Sequence, residues 1–188
     1  MLLMCHANAE DIGMSDPKQL AEDFNSNICL FDYAGYGMHT CKESSEEACQ
    51  RDVLAVYHHL LSLSINDIVI YGRSIGTGVA CYLAYYLSLQ HKPCRLILVS
   101  AFKSVCKTMF NLWIPWDILI NEDIASQITA STLFIHGCRD DVTPYFACKE
   151  LSLLFPNVYD FVSIRGATHH YIYLCHLYKQ AMINFIHL

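Results

Sequence analysis

Charge is what this sequence has least of. Only 16% of its 188 residues are Asp, Glu, Lys or Arg, against about 25% in a typical soluble chain. Twelve Lys and Arg face eighteen Asp and Glu, a formal charge of −6. No stretch gathers enough basic residues to neutralise a row of phosphates, which argues against a nucleic-acid partner. Long hydrophobic runs are missing too, although 54% of the residues are hydrophobic. The longest, 79–87 and 110–116, fall short of the roughly 20 residues that cross a bilayer, so no transmembrane helix is expected. Ala7 and Ala9 imitate a cleavage site, but the first residues lack the basic start and apolar core of a signal peptide. The ten cysteines contain no C-x-x-C pair and the ten histidines no H-E-x-x-H. Neither a zinc site nor a disulfide framework is written, and no metal is expected. Cysteines inside apolar segments, such as Cys29, Cys81 and Cys148, read as small core residues of a chain kept in a reducing compartment, which points to the cytoplasm.

Repeats, low-complexity tracts and Pro/Gly/Ser linkers are also absent, so the length fits one domain. What is present is an alternation of short apolar runs and longer amphipathic ones. Leu2 to Cys5, Ile28 to Phe31, Ile68 to Tyr71, Leu96 to Val99, Leu133 to Ile135 and Tyr159 to Ile164 read as strands, most of them apolar on both faces as in a buried parallel sheet. Ser44-Ser45-Glu46-Glu47 predicts a capping box with Ser44 accepting from the Glu47 amide, followed by a helical stripe of Cys49, Val53, Val56, Tyr57 and Leu60. Thr143-Pro144 predicts an N-cap and first helical residue ahead of Ala147, Cys148, Leu151, Leu154 and Phe155. The segment 78–90 is apolar nearly all round and suits a helix buried against the centre of the sheet. The fold class is α/β with a mainly parallel sheet.

Within this frame Ile68-Val69-Ile70-Tyr71-Gly72-Arg73-Ser74-Ile75-Gly76-Thr77-Gly78 runs from strand through G-x-S-x-G into an apolar helix. Glycines two residues to either side let strand and helix approach closely around a strained serine. The turn lifts the Ser74 hydroxyl above the sheet and leaves the Ile75 amide at a helix N-terminus, where it can donate to an oxyanion. Phosphate-cradling alternatives fail: no Gly-Lys-Ser/Thr follows Gly72, and Gly76-Thr77-Gly78 lacks the third glycine of a dinucleotide fingerprint.

A serine nucleophile needs a base, and the base an orienting acid, in the chain order Ser, acid, His. After the strand 133–135 comes His136-Gly137-Cys138-Arg139-Asp140-Asp141. After 159–164 comes Arg165-Gly166-Ala167-Thr168-His169-His170. Both loops fall at the C-terminal ends of parallel strands, where α/β sheets carry their sites. The spacing alone leaves Asp140 or Asp141, and His169 or His170, open. One aspartate could instead cap the helix near Pro144.

Together these residues resemble the α/β-hydrolase superfamily, and within it the small-lid branch of α/β-hydrolase-domain proteins that includes the protein depalmitoylases. The resemblance runs through His6-Ala7-Asn8-Ala9-Glu10-Asp11-Ile12-Gly13, Asp32-Tyr33-Ala34-Gly35-Tyr36-Gly37, the Gly72 to Gly78 elbow and the two later loops. It implies an α/β-hydrolase fold with helices on both faces of the sheet, about six strands present and the first two family strands missing, so that the chain reads as N-terminally short. It also implies Ser74 as nucleophile, Asp140 as acid and His169 as base, with the backbone amides of Asn8 and Ile75 forming the oxyanion hole and no cofactor required. The family usually has Gly where Ala7 stands. A methyl group there is expected to tilt the Asn8 amide, and losing one such donor costs about 10²–10³ in turnover.

The excursion 101–128 reads as a small lid within the domain, rich in Phe102, Met109, Phe110, Leu112, Trp113 and Trp116 and broken by Pro115. Phe102 and Trp113, with Tyr33 and Tyr36 bordering the same cleft, are the candidate substrate-binding residues. The expected reaction is acyl transfer on an ester or thioester, most concretely an S-acylated protein, with peripheral membrane contact left open. A peptidase or small-ester esterase of the same fold, and a non-catalytic module, are the alternatives.

Overall fold

The computed structural model describes residues 1–41, 43–110 and 117–188. Six strands, β1 (Leu2–Cys5), β2 (Ile28–Leu30), β3 (Val69–Arg73), β4 (Arg95–Val99), β5 (Ser131–Gly137) and β6 (Val158–Ile164), form one sheet in the order β2-β1-β3-β4-β5-β6. Every neighbouring pair is parallel. Parallel neighbours need crossovers, and helices supply them: α1 (Pro17–Phe24), α2 (Glu46–Ser62), α3 (Gly76–Leu89), α4 (Val105–Phe110), α5 (Asn121–Ala125) and α6 (Tyr145–Ser152), while α7 (His176–Ile186) follows the last strand.

Alternation along the central strands sends successive side chains into two separate cores. Leu3, Ile70, Leu96, Leu98 and Phe134 pack on one face with Val53 of α2 and Leu83 and Leu87 of α3. Leu2, Val69, Tyr71, Ile97, Val99, Leu133 and Ile135 pack on the other with Met182 and Phe185 of α7. Burial on both faces explains why these strands are apolar throughout rather than alternating. The edge strands differ: β2 is half-buried and most of β6 faces solvent, with Tyr159 49% exposed. Helix α3 buries residues all round, from Val79 and Ala80 to Leu83, Ala84 and Leu87, as its composition predicts.

Two caps differ from expectation. Ser45, not Ser44, accepts from the Ala48 amide at the start of α2 (3.1 Å). Ser44 lies against Gly35, where an added Cβ would come within 2.8 Å of its own Cβ. Pro144 is the N-cap of α6 and no side chain caps that helix, because Thr143 turns instead into the site described below. All ten cysteines are free. Cys5, Cys81 and Cys148 are fully buried, and burial pushes their thiols up, away from the reactive thiolate. Cys29, expected in the core, is half-buried because it sits on the edge strand β2.

The N-terminal ends of the strands are gathered by one guanidinium. Arg95 donates to the Phe185 and Ile186 carbonyls at the end of α7 (3.3 and 2.8 Å) and to the Asp67 carboxylate (2.6 Å). The Asp67 carbonyl in turn accepts from the Met1 amino group at 3.0 Å.

Candidate active site

Loops at the opposite rim converge on Ser74. Its backbone is left-handed (φ 51°), a conformation that costs a non-glycine residue roughly 1–2 kcal/mol. Contacts on both sides hold it there. The Ser74 amide donates to the Val99 carbonyl (3.0 Å), and its carbonyl accepts from the Thr77 amide and hydroxyl (2.9 and 2.7 Å). The flanking glycines are required by close approach rather than by dihedral freedom. A Cβ on Gly72 would stand 2.6 Å from the Gly76 carbonyl oxygen, and one on Gly76 would strike the carbonyls of Cys5 and His6. The first turn of α3 is therefore pressed against the end of β1, which brings the Asn8 loop beside Ser74.

The structure brings Ser74, His169 and Asp140 together. His169 Nε2 lies 3.0 Å from Ser74 Oγ, and its Nδ1 lies 2.9 and 3.0 Å from the two Asp140 oxygens. Asp140 also accepts from the amides of Val142 (3.0 Å) and Thr143 (2.7 Å). One carboxylate thus serves the turn and the imidazole at once. Its side chain is fully buried and that of His169 is 5% exposed, whereas Asp141 and His170 face solvent. Burial disfavours the Asp140 charge. Hydrogen bonds from His169 and the Thr143 amide, with the attraction of the imidazole, outweigh it and hold the carboxyl well below the ordinary carboxylate range.

A cavity of about 170 Å³ opens beside Ser74, lined by Asn8, Ile75, Phe102, Val105, Thr108, Val142 and Thr143. Asn8, Ile75 and Phe102 thus share a cavity with Ser74. Trp113 lies outside the described residues, as do 111–116 generally. Tyr33 and Tyr36 do not line this cavity. They line a second, smaller one of about 90 Å³ that also touches Ile75. Tyr33, only 1% exposed, donates to the His6 carbonyl (3.0 Å), and Tyr36 donates to the Asn8 side-chain carbonyl (2.8 Å). Their hydroxyls hold the loop after β1 instead of bordering the Ser74 cleft.

The expectation for Ala7 is also revised. Left-handed backbone occurs at Ala9 (φ 57°) and not at Ala7, so the Ala7 methyl demands no strained conformation. It is buried (5% exposed), and the Ala7 amide donates to Glu10 Oε2 at 2.9 Å.

Three polar residues next to the site carry no motif of their own. His136 is fully buried; its Nε2 donates to the Thr143 carbonyl (3.0 Å) and stands 3.6 Å from Asp140. Burial, reinforced by the nearby His169, pushes its pKa down, against the Thr143 carbonyl and Asp140, which favour the cation. Glu10 and Arg73 form an ion pair beside Ser74. Only position hints at them, since Arg73 directly precedes Ser74 and Glu10 closes the loop after β1. Among the described residues no group of three or more His, Cys, Asp or Glu is arranged to hold a metal, and no helix is long and apolar enough to cross a membrane.

A parallel sheet wrapped by helices, with a serine on a strand-to-helix elbow and an acid and a histidine on later strand ends, defines an α/β-hydrolase fold. Solved structures share it. Est1E from Butyrivibrio proteoclasticus, with ferulic acid bound, superposes with a TM-score of 0.71 at 20% identity, covering 98% of this chain and 87% of that one. The monoacylglycerol lipase of Paleococcus ferrophilus gives 0.69 at 14% identity, covering 98% and 93%. This chain has the α/β-hydrolase fold. Its sequence is similar to alpha/beta hydrolase domain-containing protein 17C: the proteins from Xenopus laevis and Homo sapiens are each 30% identical over 194 aligned residues, 98% of this chain. The chain spans 60% and 57% of the lengths of those two relatives. No family model matches.

Proposed function

We propose that this chain is a serine hydrolase that cleaves carboxylic esters or thioesters through an acyl-enzyme, with long-chain acyl groups on protein cysteines as the favoured substrate class. The unbroken contact line Ser74–His169–Asp140 at the mouth of an apolar-walled cavity carries the reading.

In acylation, Ser74 Oγ attacks the carbonyl carbon while His169 Nε2 takes the hydroxyl proton. The negative charge that develops on the carbonyl oxygen is met by the Ile75 and Asn8 amides. As the tetrahedral adduct collapses, His169 returns its proton to the departing sulfur or oxygen, and a thiol or alcohol leaves. Water then attacks the acyl-Ser74 ester, with His169 again taking and returning a proton, and a carboxylic acid is released. Asp140 accepts the Nδ1 proton's hydrogen bond throughout, which fixes the tautomer with a bare Nε2. Ile75, Phe102, Val105 and Val142 give the acyl chain a dry wall. The excursion 101–128, which contributes Phe102, Val105 and Thr108, would act as a small lid over it. The protein depalmitoylases of the α/β-hydrolase-domain branch, which the sequence resembles, point to the thioester.

A fluorophosphonate probe and a p-nitrophenyl ester series from acetyl to palmitoyl test the proposal. Labelling and hydrolysis are expected, both lost in Ser74→Ala. Folded wild type that neither labels nor hydrolyses any ester refutes the enzyme. A clear preference for acetyl over octanoyl and longer chains refutes the long-chain substrate.

A further inference from the structure

We infer that Glu10 and Arg73 are positioning residues, a clamp that sets the oxyanion loop and the histidine loop in register with the nucleophile; this rests on the serine-hydrolase reading above. Three chain segments meet at one guanidinium. Arg73 is the last residue of β3 and is bonded directly to Ser74. One arm of its fork pairs with Glu10 Oε1, and the other donates to the His169 carbonyl at 3.1 Å. The second Glu10 oxygen accepts from the Ala7 amide at 2.9 Å, one residue before Asn8. The path from oxyanion loop to nucleophile to base is therefore Ala7, Glu10, Arg73, His169, with each link a polar contact.

The burial and the chemistry of this pair suit positioning better than stability. The Arg73 side chain is 12% exposed and that of Glu10 33%, so both lose much of their hydration. A pair in that setting gains little net stability over apolar residues of similar volume, but it is geometrically exacting. Arginine alone among the basic side chains can make both contacts at once, because its planar fork directs donors to two separate acceptors where lysine offers one compact charge. Tyr173 lies beneath the guanidinium, 5.8 Å from ring centroid to Cζ, and limits its swing. Catalysis is sensitive to such tethering, since a displacement of about 1 Å in a reacting group costs on the order of 100-fold. The Tyr33 and Tyr36 hydroxyls restrain the Asn8 loop at other atoms, the His6 carbonyl and the Asn8 side chain.

The test uses the full chain with Arg73→Gln, Glu10→Gln, Arg73→Lys and the double Glu10→Gln/Arg73→Gln substitution, each assayed on a p-nitrophenyl ester and by thermal melting. Each Gln single is expected to lower kcat by roughly 10- to 100-fold, with KM changed less than about threefold. The double should lose no more than the worse single, because one unit is removed once. Arg73→Lys should recover part of the kcat by keeping the pair with Glu10 while giving up the His169 carbonyl. Wild-type kcat in the folded double variant, or single losses that multiply in the double, would overturn the clamp. So would a change confined to Tm. Should the singles fail to fold, the double, which leaves no unpaired charge, decides alone: a 10- to 100-fold loss of kcat supports the clamp and an unchanged kcat overturns it. Wild type inert to both ester and fluorophosphonate overturns clamp and enzyme together. An active, labelled wild type with indifferent variants overturns the clamp alone.

Discussion

The nucleophile turn and the loop after β1 stand side by side at the same rim, yet they are held by opposite means. Ser74 is fixed by backbone: a left-handed residue, glycines pressed to contact on either side, a hydrogen bond accepted from its own helix and one donated to β4. The segment from His6 to Glu10 is fixed by side chains from elsewhere, with Tyr33, Tyr36 and Arg73 each reaching in from another strand or loop. A turn built from backbone sterics tolerates almost no change at its few critical positions, whereas a loop tied by several side-chain hydrogen bonds loses its place in increments. The contrast predicts steep losses at the elbow and shallow ones at the loop.

The steepest test lies just behind the elbow, where Asp140 closes the line to His169. Asp140→Asn should cut kcat by about 10³–10⁴ while leaving the fold recognisable by circular dichroism, because the amide favours the wrong imidazole tautomer. The same variant carries a pH signature. The folded-state pKa of Asp140 is depressed, so its stabilising contribution is complete above the unfolded carboxylate range near about 4 and fades as pH falls through the folded value. Denaturation at pH 7 should show wild type well above Asp140→Asn, and the gap should narrow at pH 3. A gap of equal size at both would contradict it.

Gly72→Ala comes next. With backbone and side-chain atoms 2.6–2.7 Å from the new Cβ, it should destabilise by roughly 3 kcal/mol or more, or about 6–12 °C in Tm. A melting point within 2 °C of wild type would show that the turn yields as readily as the loop. On the loop side, Tyr36→Phe deletes the hydroxyl on Asn8 and should cost about 1 kcal/mol, read as a severalfold drop in kcat. A loss of 100-fold or more would place the loop in the elbow's class. Smallest is Ala7→Gly. Because Ala7 needs no left-handed backbone, glycine offers no relief, and kcat should stay within about twofold while stability falls by about 0.5–1 kcal/mol. A turnover gain of tenfold would restore the idea that the methyl obstructs the oxyanion hole.

The same contrast explains which parts were legible in the sequence. The elbow could be read because its determinants lie within five consecutive residues, and the strands because burial on both faces makes them continuous apolar runs. Strand boundaries shift by a residue or two, as at Arg95 and Arg73, since a strand end carries little pattern of its own. Asp140 and His169 could be narrowed to adjacent pairs by chain order and singled out only by the resemblance, because what separates them from Asp141 and His170 in the fold is burial. Tyr33 and Tyr36 were legible as important and misread in role. A tyrosine that lines a cleft and one that anchors a loop look alike until the partner of its hydroxyl is known, and those partners lie 27 and 28 residues away. Arg73 and Glu10, 63 residues apart, leave no local trace. The Thr143 cap failed for a related reason: the turn before α6 is governed by Asp140, whose Oδ1 accepts from both the Val142 and Thr143 amides.

The gathering of strand beginnings by Arg95 has an engineering consequence. Met1 bonds to the carbonyl of Asp67, and Asp67 shares Arg95 with the last turn of α7, so β1, β3, β4 and α7 are tied together at the end of the sheet turned away from Ser74. A surface tether attached at that end of the sheet would hold the molecule with its Ser74 cleft directed outward.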